Sequence, residues 1–92
     1  MGRERRLIRV FFNTYYEDVA ENVLNELKSL GYEMKLTNSR VVPELYYVEM
    51  EVGAENLDQA VEKVQRLLEE ARDRYSGRLF GVKVYGVDAS SS

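Results

Sequence analysis

The sequence contains no cysteine, no histidine and no tryptophan, and its only proline is Pro43. Without cysteine there can be no disulfide, no thiolate nucleophile and no cysteine-ligated metal. Without histidine the chain lacks the commonest general base and the commonest ligand of transition metals. These absences argue against catalysis. We therefore expect no enzyme, no cofactor and no metal centre.

Long apolar runs are also missing. No stretch approaches the roughly 20 residues that a helix needs to cross a bilayer, and residues 1–6 lead into a predicted strand without the apolar core of a signal peptide. The net charge is −3, from 13 basic and 16 acidic residues, whereas nucleic-acid-binding domains are more often clearly basic. We expect a soluble protein of the cytoplasmic type.

What the chain does contain is enough for one domain, with 92 residues of which 45% are apolar. Its strongest pattern is the two-residue alternation over residues 45–52, which is typical of a half-buried strand. One side of that strand is continuously apolar and consists of Tyr46, Val48, Met50 and Val52. We predict a single domain over residues 1–92, with 1–6 as a lead-in and 88–92 as a disordered polar tail.

The same alternation predicts strands at residues 7–13, 32–37 and 78–87, and two segments between the strands carry helix signals. Thr14 and Glu17 have the spacing of a capping box, so we expect a helix from there to about residue 30, closed by Gly31 in the left-handed conformation. Asn56 is a predicted N-cap for a second helix over about residues 57–75.

The resulting order, βαββαβ, defines the predicted fold class. Two split βαβ units with right-handed crossovers give an α+β two-layer sandwich of the ferredoxin-like type. Its four-stranded antiparallel sheet has the strand order 4-1-3-2, with both helices on one face. A mixed sheet in which the first two strands are neighbours is the alternative.

With both helices on one side, the other side of the sheet is uncovered, and we call it the open face. Its predicted contact residues are Leu7, Arg9, Phe11, Leu45, Tyr47, Lys83 and Tyr85. The simplest interpretation is a solvated face on which Arg9 and Lys83 pair with glutamates across strands. A second is an interface for a second copy or a partner, because exposed apolar patches often mark contact surfaces.

A third interpretation is binding of RNA or single-stranded DNA. RNA-recognition domains share this topology and stack bases on aromatic residues of the two central strands. The glycine- and aromatic-rich run that such domains carry on their third strand is replaced here by acidic and apolar residues. Glu49 and Glu51 would repel a phosphate backbone, so the sequence favours water or a protein over a nucleic acid on this face. We expect no membrane partner.

Two weaker candidates lie elsewhere. Backbone N–H groups of residues 13–15, at the start of the first helix, could bind an anion with the help of nearby arginines, namely Arg40, Arg72, Arg74 and Arg78; a self-capped helix is the simpler interpretation. Two acidic groups, Glu17, Asp18 and Glu21 together with Glu69, Glu70 and Asp73, are interpreted as solvated helix faces. We expect ion pairs between Glu62 and Arg66 and between Glu70 and Arg74.

Two function hypotheses follow, with a third behind them. The agreement of caps, turns and periodicity is typical of idealised sequences, so the first is a stable scaffold, such as a computationally designed protein, without an evolved function or a required partner. The alternative is a natural small interaction domain that homodimerises or binds a partner through the open face. The weaker third is a module that binds RNA or single-stranded DNA.

Overall fold

A computed structural model describes residues 4–38, 41–53 and 56–90 of the chain. The elements in chain order are β1 Glu4–Asn13, α1 Glu17–Lys28, β2 Glu33–Asn38, β3 Leu45–Val52, α2 Leu57–Arg74 and β4 Phe80–Ser90. The four strands form one antiparallel sheet in the order β2-β3-β1-β4. The predicted ferredoxin-like fold and its strand order are therefore confirmed.

The core lies between the sheet and the two helices. Alternate residues of β1 and β3 meet the apolar stripes of α1 and α2, and the largest fully buried side chains include Phe12, Ile8, Leu27, Met50 and Leu68. The ring of Tyr46 lies parallel to that of Phe12, with 5.1 Å between the centroids and 6° between the planes. The side of β3 that the alternation assigned to the core does face it.

The start of α1 differs from the prediction. Thr14 is only 2% exposed, its backbone N–H donates to the carbonyl of Glu44, and its hydroxyl accepts from the N–H of Tyr16 at 3.2 Å. Thr14 is thus held against the start of β3 and cannot serve as the N-cap of α1. The helix begins two residues later than a Thr14 N-cap requires, with Tyr16 as an N-cap that makes no side-chain cap bond, so the predicted capping box is wrong.

Other boundaries follow the sequence signals more closely. Asn56 caps α2 by accepting from the N–H of Gln59 at 3.1 Å, and Gly31 adopts the left-handed conformation with φ of 87°. At the chain ends, pairing of β1 with β4 begins at Glu4 and reaches Ser90, three residues into the predicted tail. Residues 1–3, 91 and 92 lie outside the described part of the chain.

A β-bulge interrupts the pairing of β1 with β4. The register shifts between Phe11 and Asn13, opposite Gly81, whose φ of 61° favours glycine. As a result Leu79 is buried and Phe80 is 40% exposed. The alternation within the predicted strand at residues 78–87 assigns Phe80 to the core side, together with Val82 and Val84. For Phe80 that prediction is wrong, because strict alternation ignores the extra residue of a bulge.

The close approach of α2 to β4 gives a test of the packing. A Cβ atom added at Gly86 would lie 2.8 Å from Cγ2 of Val61 and 3.4 Å from Cγ of Leu57. Val61 is branched at Cβ and has little rotamer freedom on a helix, so the helix must move. We expect Gly86→Ala to lower the free energy of unfolding by about 1–3 kcal/mol, as measured by denaturant titration.

Gly53 is the matched control for that substitution. An added Cβ atom there meets nothing within 4 Å, and its φ is outside the left-handed region. We expect Gly53→Ala to change the free energy of unfolding by less than about 1 kcal/mol. Equal effects of the two substitutions would contradict the described packing of α2 on β4.

Candidate interaction surface

The open face has β3 and β1 at its centre, and the register places its predicted contact residues side by side. Phe11 is opposite Tyr47, and Arg9 is opposite Glu49. On its other side β1 places Arg9 opposite Tyr85 and Phe11 opposite Lys83. Leu7 and Leu45 lie on the same side of these strands, at opposite ends. All seven predicted residues therefore lie on one surface.

Aromatic side chains occupy the middle of this surface. The ring centroids of Phe11 and Tyr47 are 4.8 Å apart, and those of Phe11 and Tyr85 are 6.0 Å apart in an edge-to-face arrangement. Such geometries are favourable for aromatic pairs. Even so, Tyr85 remains 49% exposed. The cluster is therefore ordered within one chain and still presents apolar surface outward.

A shallow recess of about 410 Å³ opens beside this cluster. It is lined by Phe11, Asn13, Leu45, Gly81, Lys83 and Tyr85. Asn13 and Gly81 were not predicted as part of the surface, because the bulge that brings Gly81 beside Asn13 leaves no signal in the alternation pattern. The lining of the recess consists of rings, aliphatic groups and few polar atoms, so it suits an apolar side chain better than a charged ligand.

Charges of both signs surround the aromatic cluster. One row across β2, β3 and β1 contains Lys35, Glu49 and Arg9 in that order. Within the described part of the chain, neither Arg9 nor Lys83 forms an ion pair, so the cross-strand pairing expected for a solvated face is not found. Glu49 instead acts on the nearby Tyr47 hydroxyl, whose pKa it raises. The cations of this surface are therefore available to groups outside the chain.

The Tyr47 phenol is perturbed by its surroundings. Burial raises its pKa above the ordinary value of 10.0, the hydrogen bond to Glu49 and the negative charge of Glu49 raise it further, and the positive charge of Arg9 lowers it. In the unfolded chain the phenol ionises near its ordinary pKa. The neutral phenol therefore contributes stability below that pH, and the contribution is lost as the pH rises through the raised pKa of the folded state.

Removal of the Glu49 charge should shift this titration. We expect Glu49→Gln to lower the pKa of Tyr47 towards its ordinary value, because a carboxylate that accepts from the phenol and repels the phenolate is lost. The titration is followed by the ultraviolet absorbance of phenolate. Subtracting the absorbance of the matching Tyr47→Phe variant from that of each protein isolates the titration of Tyr47. A Tyr47 pKa that stays unchanged or rises in Glu49→Gln would contradict this influence of Glu49 on Tyr47.

The second candidate, an anion site at the start of α1, is not formed as predicted. The N–H groups of Thr14 and Tyr16 already donate within the chain, to Glu44 and to the Thr14 hydroxyl. Arg74 pairs with Glu26 on α1 at 2.8 Å, and this bond raises the pKa of Arg74. Arg72 and Arg78 are exposed, while Arg40 lies outside the described residues. Two of the groups expected to bind an anion, the Thr14 amide and Arg74, are therefore already engaged within the chain.

Of the two ion pairs predicted within α2, one is formed and the other is not. Arg66 and Glu62 are 3.1 Å apart, as predicted, whereas Arg74 pairs with Glu26 of α1 and not with Glu70, so the second prediction is wrong.

Among the described residues no group of three acidic side chains could hold a metal ion. No described helix combines the length and the apolar character that a membrane span requires.

Comparison with known proteins gives a likeness in structure. The sequence matches no protein-family model and no curated protein. A crystal structure of a protein described as PII-like and assigned to signalling, from Thermus thermophilus, superposes with a TM-score of 0.50 and 16% identity, over 98% of this chain and 90% of that chain. This likeness shows a shared fold.

A second structure is less similar. It is CPII, a nitrogen regulatory PII-like protein from Thiomonas intermedia, whose structure was determined with bound ADP, AMP and bicarbonate. The TM-score is 0.43 and the identity 13%, over 100% of this chain and 97% of that chain. At that TM-score the likeness carries no argument about this chain.

Proposed function

We propose that the protein is a non-enzymatic interaction domain that associates with a second copy of itself through the open face. The observation that carries this proposal is the aromatic cluster of Phe11, Tyr47 and Tyr85 at the centre of an uncovered sheet. Aromatic residues at the centre of a patch, with charges around them, are typical of protein interfaces.

A designed scaffold without a function receives less support. Idealised sequences avoid strained backbone and exposed apolar side chains, whereas this chain has a bulge at Gly81 and a Val41 side chain that is 89% exposed. The protein with the same fold comes from a bacterium and is described as a signalling protein. Both observations favour the natural interaction domain over the scaffold.

A nucleic-acid partner is also less well supported than a protein. The open face carries Glu33, Glu49 and Glu51 on adjacent positions of β2 and β3, and their charges oppose a polyanion. An interface between protein surfaces accommodates such groups, because a carboxylate can meet a cation of the partner or remain hydrated at the polar rim. The chemistry of the face therefore matches a protein of mixed charge.

Sedimentation equilibrium of the full chain over a range of micromolar concentrations tests the proposal. We expect a monomer–dimer equilibrium that is only moderately sensitive to salt, because the centre of the interface is apolar. A mass of one chain at every concentration would overturn self-association. A salt-sensitive complex with a mixed pool of oligonucleotides would overturn the preference for a protein partner.

A further inference from the structure

We infer how two copies meet: the open faces pack with a two-fold axis that runs parallel to the strands, midway between β1 and β3. This inference rests on the proposed function and specifies its geometry. A rotation about that axis keeps each residue at its level along the strand and exchanges β1 with β3. Arg9 then faces the partner's Glu49, and Phe11 faces the partner's Tyr47, because these residues are opposite each other in the register.

The outer strands are complementary under the same rotation. Lys35 of β2 faces the partner's Tyr85, because Lys35, Glu49, Arg9 and Tyr85 form one row across the sheet. A lysine over a tyrosine ring is a favourable cation–π pair. Thr37 faces the partner's Lys83 in the row that contains Phe11. No position in these two rows brings like charges together.

The other orientation of the axis gives a poorer match. With the axis perpendicular to the strands, each strand faces the same strand of the partner. If the axis lies on the row of Arg9, then Arg9 faces Arg9, Glu49 faces Glu49 and Lys35 faces Lys35 of the partner. Such like-charge contacts are costly. If it lies on the row of Phe11, Arg9 faces the partner's Asn13 and Glu49 faces the partner's Leu45, so neither charge is paired.

The dimensions of the face suit a weak dimer. Four strands spaced at about 4.8 Å and a length of seven residues at about 3.3 Å give a flat area of roughly 20 Å by 23 Å. Because side chains project from the sheet, the accessible area that is buried exceeds this flat area. It remains at or below the roughly 800 Å² per partner of standard interfaces. We therefore expect association in the micromolar range, where charge complementarity at Arg9 and Glu49 decides the orientation.

Mixing two charge variants tests this geometry. In Arg9→Glu both central residues are acidic, and in Glu49→Arg both are basic, so we expect each variant alone to dimerise at least tenfold more weakly than the wild type. An equimolar mixture should form a heterodimer, in which each acidic residue faces a basic one. An ion pair within one chain cannot produce this result, because neither variant contains both charges.

A second variant keeps the test valid if either charge reversal perturbs folding. Thr37 and Lys83 are both exposed and lie on opposite edges of the sheet, too far apart to interact within one chain. Thr37→Glu should tighten the dimer about two- to fivefold by facing the partner's Lys83, and the additional change Lys83→Glu should reverse the gain. Circular dichroism of each variant reports whether the fold is intact.

The outcomes separate this inference from the proposed function. A wild-type dimer whose two charge variants stay monomeric when mixed would overturn the orientation and leave self-association standing. A dimer that Thr37→Glu leaves unchanged or weakens would also overturn the orientation. A monomeric wild type would overturn both. Heterodimer formation together with tightening by Thr37→Glu is the result that the geometry requires.

Discussion

Phe11→Glu is expected to convert the protein into a monomer that remains folded. Phe11 lies between Tyr47 and Tyr85 at the centre of the open face, with ring centroids 4.8 and 6.0 Å away. A carboxylate at that place must be desolvated if a second sheet packs on it. Loss of a central aromatic anchor typically costs about 2–4 kcal/mol of binding energy, which corresponds to at least a roughly 30-fold increase in Kd.

Two tyrosines of equal exposure provide the control for position. Tyr85 on the open face is 49% exposed, and Tyr16 before α1 is 50% exposed. Tyr85→Glu should weaken association, whereas Tyr16→Glu should leave it unchanged, and its carboxylate near the start of a helix is electrostatically acceptable. Sedimentation at fixed concentration compares the variants. Equal weakening by both, or persistence of the dimer in Phe11→Glu, would show that another surface associates.

Phe12→Ala is expected to have the largest effect on folding. Phe12 is next to Phe11 in sequence but points to the opposite side of the sheet, where it is fully buried and stacks on Tyr46. Replacement of a buried phenylalanine by alanine typically lowers the free energy of unfolding by about 3–5 kcal/mol, because apolar contacts are lost and a cavity remains. Denaturant titration at low protein concentration measures the loss without a contribution from association.

Phe11→Ala is the matched substitution for that experiment. It removes the same side chain from the adjacent position, where the ring is partly exposed in the single chain. We expect a loss of free energy of unfolding of no more than about half that of Phe12→Ala, together with weaker dimerisation. If Phe11→Ala destabilised the monomer as strongly as Phe12→Ala, the open face would be part of the folding core, contrary to its assignment as an interface.

The sequence predicted the fold where local signals act independently. The bounds of β3 were predicted at both ends, because its alternation is uninterrupted from Leu45 to Val52. The cap at Asn56 and the left-handed Gly31 were predicted because each depends on chemistry within a few residues. The strand order followed from these elements and the handedness of their connections.

What the sequence did not predict depends on contacts between distant segments. Thr14 is held by the carbonyl of Glu44, so the local spacing of a capping box was misleading. Arg74 has one acceptor a helical turn away and another on α1, and only the three-dimensional packing selects Glu26. The bulge at Gly81 turned Phe80 outward and placed Asn13 and Gly81 in the recess, which periodicity cannot indicate.

The candidate surface was predicted more fully than the boundaries. Once β1 and β3 are central and the helices share one face, alternation alone assigns each outward residue. All seven predicted residues lie on that surface. Its electrostatics required the structure, because periodicity does not show that Glu49 raises the pKa of Tyr47, or that neither Arg9 nor Lys83 forms an ion pair among the described residues.

The most direct test of the open face as the contact surface is a dilution series followed by nuclear magnetic resonance of the labelled amide groups. Between high and low micromolar concentrations, we expect chemical-shift changes to be largest in the central strands around Arg9, Phe11 and Tyr47, and to be negligible along α2. Changes concentrated on the helices or on the free edge of β4, or no dependence on concentration, would contradict association through the open face.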